Sequence, residues 1–232
     1  MANTITLKVM TSNALRTVFR DLLPAFERAH HIKIDASYDP AKRVQLRLAA
    51  GETADVAVSN LPTIERMISE NILDATSRRE FAHYGIGIAV KAGAAKPDIG
   101  TVDAFKRTLL NARSIACTID GASGIYFAEL IKRLDIAEAV NAKASRQPGG
   151  LCAEQLLDGR ADIAIQQVPE LLAAGPGIEV AALLPAELQK MSVLSAGVFK
   201  ASTQAQAGRT FIDFLATPAS LLSFKAAGFD PL

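Results

Sequence analysis

Two spacings of apolar residues alternate along this chain. Residues 4–10, 32–37 and 55–58 are short apolar or alternating runs, and between them lie longer stretches with apolar residues three and four apart. The first spacing belongs to strands and the second to one face of a helix. After residue 11, Leu15, Val18, Phe19, Leu22, Leu23 and Phe26 share a helical face, and Thr11-Ser12-Asn13 stands at its start as the cap. Pro24 falls inside this pattern, where it removes a backbone donor and crowds the preceding turn, so a kink or restart is predicted there. Asp39-Pro40 turns the chain into a helix over 41–50 that stops at Gly51, and a helix over 61–70 follows the third strand. The order β-α-β-α-β-α predicts a doubly wound α/β lobe.

Residues 84–91 alternate small and apolar side chains and read as an extended segment leaving that lobe. A loop over 93–100 leads to Thr101, which caps a helix carrying Val102, Phe105 and Leu109 on one side. A strand over 114–118 then runs into Gly121-Ala122-Ser123-Gly124 and a helix with Phe127, Leu130, Ile131 and Leu134 on one face. A strand near 142–147 passes through Pro148-Gly149-Gly150 to a helix ending at Gly159; a strand over 162–166 and a short helix over 167–172 complete a second lobe. Residues 193–200 alternate again, and helices over 204–216 and from Thr217-Pro218 end the chain. One exit and one return predict two lobes, 1–83 with 196–232 and 84–195, joined by two extended segments with a ligand cleft between them. The expected fold class is α/β, two doubly wound lobes on a two-strand hinge.

Open α/β sheets bind ligands beyond the carboxyl ends of their strands. Here those ends carry Thr11-Ser12-Asn13, residues 39–43, Ser59-Asn60, residues 121–124, Pro148-Gly149-Gly150 and Gln166-Gln167, nearly all small, polar or amide. Such residues suit a small polar ligand. The 121–124 turn is the most informative, because strand, glycine turn and helix together aim backbone N–H groups at an anion. Ser123 adds a hydroxyl, and the plain alternative is that it only caps the helix. The candidate ligand-binding residues are Ser12, Asn13, Lys42, Arg43, Asn60, Ser123, Gly124, Ile125, Tyr126, Gly149, Gly150, Gln166 and Gln167.

Composition narrows the field. The chain has 232 residues, half of them apolar, with a net charge of +1 and interspersed acids and bases. That is enough to bury a core, and it offers no basic stripe for nucleic acid. The apolar runs are too short to span a bilayer, and the absence of Trp argues against a sugar-stacking site. Ile125 stands where a nucleophile elbow requires glycine. No G-x-G-x-x-G string and no His or Cys spacing for a metal is present, so neither cofactor nor metal is expected. His30 and His31 end a helix, where cations suit the dipole, and Asp21, Glu27 and Asp213 read as solvated positions on amphipathic helices. Cys117 falls in a predicted strand and Cys152 in a predicted helix, as two buried thiols or as one disulfide. The start Met-Ala-Asn-Thr shows no charged segment followed by an apolar stretch, so no signal peptide is read in this chain, although a mature secreted protein would look the same. The location is accordingly periplasmic if a leader has been removed and cytoplasmic otherwise.

The opening strand running into Thr11-Ser12, the segment Ala50-Gly51-Glu52-Thr53-Ala54-Asp55-Val56, the Gly121-Ala122-Ser123-Gly124 turn and the closing phrase Phe211-Ile212-Asp213-Phe214-Leu215-Ala216-Thr217-Pro218 resemble the bacterial type II periplasmic solute-binding proteins, the molybdate-binding branch in particular. The resemblance spans nearly the whole chain. It implies a monomer that captures a small anion between its lobes with serine hydroxyls and backbone N–H groups and delivers it to an ABC permease. Ser12 matches the first such serine. Where that branch carries a second serine this chain has Asp39-Pro40-Ala41-Lys42-Arg43, and Gln166 or Gln167 replaces a late aromatic. Arginine and lysine suit a carboxylate, so the expected ligand is a small di- or tricarboxylate, with molybdate or another tetrahedral oxyanion as the alternative. Aconitate isomerases also resemble this family, and an isomerase would draw on Tyr38, Asp39, Lys42 or Tyr126 near the predicted cleft.

Overall fold

The computed structural model describes residues 5–232; the expected start of the first strand at Thr4 lies outside the described residues. In chain order the elements are β1 (Ile5–Thr11), α1 (Arg16–His30), β2 (Ile32–Tyr38), α2 (Ala41–Ala49), β3 (Val56–Asn60), α3 (Leu61–Ser69), β4 (Arg79–Tyr84), β5 (Ile86–Lys91), α4 (Val102–Asn111), β6 (Ile115–Thr118), α5 (Ala122–Arg133), α6 (Ala137–Asn141), β7 (Ala144–Gln147), α7 (Glu154–Leu157), β8 (Ile163–Gln167), α8 (Val168–Ala173), β9 (Ile178–Leu183), β10 (Ser192–Val198), α9 (Ala205–Leu215), α10 (Pro218–Ala226) and β11 (Asp230–Pro231). The chain divides into two compact units, one running to Tyr84 and resuming at Ser192–Leu232, the other Gly85–Met191.

The first unit is built on a six-stranded sheet in the order β11-β4-β10-β3-β1-β2. β1 is parallel to β2 and β3, and β10 runs antiparallel to both β3 and β4. β10 pairs with β4 from Ser192 onward, so the whole returning strand belongs to this unit. One face of the sheet packs Leu7 and Val9 against Phe19, Phe26, Phe211 and Phe224, and the other packs Met10 and Ala57 against Val44, Ile64 and Met67. Burial on both faces explains why β3 is apolar without alternation.

The second unit has a five-stranded sheet in the order β7-β6-β8-β5-β9. β6 is parallel to β7 and β8, and β5 is antiparallel to β8 and β9. Both units therefore use one plan: the first parallel strand at the centre, the next two on either side, then one antiparallel strand. Ile88, Phe105, Ile115, Phe127 and Ile131 form one core, and Ala116, Cys152, Leu156 and Leu171 form another.

Several local expectations change. α1 runs unbroken through Pro24, whose ring lies at an exposed position while Leu22 and Phe26 on either side are buried. Packing of the apolar face thus overrides the lost hydrogen bond. β4, α6 and β9 were not legible as separate elements, and each sheet is mixed rather than wholly parallel. Cys152 lies in the turn before α7, not in a helix. Both cysteines are free and buried, and they sit in separate core clusters.

Candidate anion-binding site

The candidate site in the second unit begins at the carboxyl end of β6. Thr118 ends the strand, and α5 begins four residues later with Gly121 as its N-cap. Glycine brings no side chain, so no side-chain cap bonds the first turn. The N–H groups of Ala122, Ser123 and Gly124 precede the first possible intrahelical bond, which Ile125 N–H makes to the Gly121 carbonyl at 3.0 Å. Ser123 is therefore not the cap. It stands inside the first turn, 1% exposed, and its Oγ has no hydrogen-bond partner among the described residues. Thr118 Oγ1 is in the same condition.

The glycines have a steric reason. A Cβ on Gly124 would lie 1.9 Å from the Thr118 carbonyl oxygen, and one on Gly121 would lie 2.7 Å from Thr118 Oγ1. Neither has a positive φ. Gly124 is glycine because the helix is seated directly on the strand end, which holds the uncapped N–H groups next to two buried hydroxyls.

The loop after β7 is tied to this turn. Ile119 N–H donates to the Gln147 carbonyl at 2.8 Å, and Asp120 N–H donates to the Pro148 carbonyl at 3.0 Å. The segment leading into Gly149 and Gly150 is thus tied to the segment leading into α5. The Gln166 amide is committed to the backbone, donating to the Gly150 carbonyl at 2.8 Å and accepting from Cys152 N–H at 3.0 Å. Gln167 is buried and sits at the N-cap of α8. The Tyr126 hydroxyl donates to the Leu188 carbonyl at 2.8 Å. Ile125 is half-exposed.

The first unit places its polar residues differently. At the end of β1, Thr11 Oγ1 donates to the Val58 carbonyl at 2.9 Å and the Thr11 carbonyl accepts from Asp39 N–H at 2.9 Å. Asn13 Oδ1 accepts from Arg16 Nε at 3.0 Å, and the Arg16 guanidinium lies 4.7 Å over the Tyr38 ring. Asn60 caps α3, its Oδ1 accepting from Thr63 N–H at 3.0 Å. Ser12 starts a short 3-10 turn without making a side-chain cap bond, and its Oγ is buried with no partner among the described residues. Lys42 and Arg43 occupy exposed positions on α2.

Sequence reading passed over three residues. Thr118 was visible as a strand-ending threonine like Thr11. Arg47, one turn beyond Arg43, pairs with Asp39 and Glu52 and donates to Ser37 Oγ at 2.9 Å. Its charge is answered by those two carboxylates, which raise its pKa further. Glu170 in the first turn of α8 gave no signal. Burial pushes its carboxyl up to about 7, against hydrogen bonds from the Gln166 side chain and the Gln167 backbone that act to lower it. Among the described residues no group of three or more His, Cys, Asp or Glu could hold a metal ion, and no helix is long and apolar enough to cross a membrane.

The fold has close relatives. A periplasmic molybdate-binding protein from Azotobacter vinelandii superposes with a TM-score of 0.79 over 96% of this chain and 98% of its own, at 18% identity. A sulfate-binding protein from Mycobacterium tuberculosis gives 0.76 over 98% and 87%, also at 18% identity. In sequence, an aconitate isomerase from a Pseudomonas species is 31% identical over 98% of this chain and 88% of the relative. The family of bacterial extracellular solute-binding proteins matches residues 7–230. With that match running almost end to end, the chain belongs to the bacterial extracellular solute-binding protein family.

Proposed function

We propose that this protein captures a small organic anion, a di- or tricarboxylate. The observation that carries the reading is the Ser123 hydroxyl, buried and without a partner among the described residues, inside an uncapped helix start at the carboxyl end of β6. A buried hydroxyl without a partner costs free energy, on the order of 1–3 kcal/mol, and a carboxylate end would answer it together with N–H groups of the first turn of α5. In the first unit Ser12 Oγ is likewise buried with no partner among the described residues. The end-to-end likeness to an aconitate isomerase supports an organic acid over an inorganic oxyanion. In this reading the protein works in the periplasm as a monomer and hands its ligand to an ABC permease. The test is calorimetric titration with molybdate, sulfate, succinate, citrate and both aconitates. Binding confined to the inorganic oxyanions overturns the proposal.

The same likeness favours a second reading, that the bound acid is isomerised by moving an allylic proton. That chemistry needs a base with a pKa near neutrality, and Glu170 is the carboxyl in the second unit whose pKa is raised to about 7. Incubation with cis- or trans-aconitate, followed by NMR, distinguishes the readings. Interconversion proportional to protein concentration establishes the enzyme; unchanged ligand leaves a binding protein.

A further inference from the structure

The loop after β7 is held by two glutamine amides. Gln147 Nε2 donates to the Gly149 carbonyl at 2.8 Å and Gln166 Nε2 donates to the Gly150 carbonyl at 2.8 Å. Each amide is fixed at its other end. Gln155 Nε2 donates to Gln147 Oε1 at 2.8 Å, and Gln166 Oε1 accepts from Cys152 N–H at 3.0 Å. Gln155 and Gln166 are each 1% exposed, so water does not compete freely for these bonds.

The direction of the carbonyls fixes the direction of the donors. A trans peptide is planar, with its C=O and N–H on opposite sides. With the Gly149 and Gly150 carbonyls turned toward the two amides, the N–H groups of Gly150 and Leu151 face away from them. Gly150 has a φ of +85°, the left-handed conformation that lets successive N–H groups converge into an anion-receiving concavity. The loop also lies beside the α5 turn through the Ile119 and Asp120 N–H bonds.

We propose that Gln147 and Gln166 are positioning residues, an amide clamp that presets the 148–152 loop so that its Gly150 and Leu151 N–H groups receive a second anionic group of the ligand. The proposal rests on the reading of the ligand as a polycarboxylate. It reassigns Gln166 from touching the ligand to shaping the loop that does, and it gives a reason for an amide at that position. Only a side chain that donates and accepts at once can bond both Gly150 O and Cys152 N–H.

The test measures trans-aconitate and citrate affinity by calorimetry on wild type, Ser123→Ala, Gln166→Met and Gln166→Glu. Gln166→Met keeps the volume and loses both bonds; affinity is expected to fall roughly tenfold or more because the loop must then be ordered on binding. Gln166→Glu supplies the readout that a merely structural role would not move. When protonated it can still donate to Gly150 O and accept from Cys152 N–H; when ionised it can only accept. Its affinity relative to wild type is therefore expected to approach one at pH 5 and to drop by pH 8. The titratable groups beside the Gln166 amide are Glu170, which bonds it, and the Cys152 thiol, which burial holds well above its ordinary range. Loss with Ser123→Ala but none with Gln166→Met overturns the clamp and leaves the carboxylate reading intact. Wild type that binds no carboxylate overturns both. If Gln166→Met does not fold, the pH series decides, and a ratio flat between pH 5 and 8 overturns the clamp.

Discussion

The two units share a sheet plan but prepare the ends of their central strands in opposite ways. In the first unit several polar side chains at the ends of β1 and β3 and on α2 are occupied: Thr11 with the Val58 carbonyl, Asn13 with Arg16, Asn60 with its own helix, Arg47 with Asp39 and Glu52. Only the Ser12 hydroxyl is buried there without a partner among the described residues. In the second unit the end of β6 holds two buried hydroxyls without a partner among the described residues, Thr118 and Ser123, under an uncapped helix start. The difference teaches that strand order alone does not make a binding site. The second unit carries residues that leave its first helical turn uncapped: a glycine at the N-cap where a serine or aspartate would have closed the helix, and a glycine at 124 where any side chain would have pushed the helix away.

The strongest way to break this contrast is Gly124→Ala. Its Cβ would meet the Thr118 carbonyl oxygen at 1.9 Å, backbone against backbone, with no flexible side chain to give way. The expected cost is about 3 kcal/mol or more of stability, read as a lowered denaturant midpoint. A variant as stable as wild type would mean that α5 is not seated on β6 as described. Next in size is the pH dependence from Glu170. Its folded carboxyl titrates at about 7 against an ordinary 4.5, so below about pH 4.5 it is neutral in both states and costs nothing. As pH rises toward about 7 the unfolded chain ionises first, and stability falls by at most roughly 3 kcal/mol. Glu170→Gln is expected to flatten that slope in urea melts from pH 4.5 to 8; an unchanged slope assigns it to other groups.

A finer test sets the two serines side by side. A hydrogen bond to a charged group contributes about 1.5–3 kcal/mol, so Ser123→Ala is expected to weaken carboxylate binding by roughly 10- to 150-fold at 1.4 kcal/mol per decade. Because Oγ has no partner among the described residues, its removal should leave ligand-free stability level or raised, whereas loss of a helix cap would cost about 0.5–2 kcal/mol. Ser12→Ala run in parallel measures how far the first unit takes part. Equal losses mean that both hydroxyls touch the ligand; a loss confined to Ser123→Ala places recognition in the second unit alone.

Much of this was legible in the residues themselves. The apolar spacings located most strands and helices, and the Gly121–Ser123–Gly124 pattern drew notice as a strand-to-helix turn, although the seating of Gly124 on the Thr118 carbonyl could not be read from it. What could not be read depends on tertiary partners. β4 carries charged residues, Arg79 and Glu80, and becomes a strand because β10 returns to pair with it. Gln166 looks like a ligand-binding amide until its two backbone partners are known, and Glu170 looks like an ordinary first-turn acid until its burial is known. Arg47, the third base of α2, pairs with Asp39 and Glu52, and no local spacing announces that those two carboxylates lie within its reach. Local sequence gives residue type and spacing; which donor is already spent is decided by contacts far along the chain.

Asn60 gives the smallest effect and the cleanest opposite to Ser123. The residue sits at the carboxyl end of β3, where sequence logic makes it a ligand contact, but its Oδ1 accepts from Thr63 N–H and closes the first turn of α3. Asn60→Ala should therefore cost about 1 kcal/mol of stability, the usual loss for an asparagine cap, and leave carboxylate affinity within a factor of about two. Asn60→Asp retains an acceptor for Thr63 N–H and adds a negative charge that suits a helix start, so it should recover the stability. The pair of measurements runs in the reverse sense to Ser123→Ala, where affinity falls and stability holds. Affinity lost in Asn60→Ala with stability unchanged would show that the first unit's strand ends hold donors for the ligand after all, and the contrast between the units would then lie in degree rather than in kind.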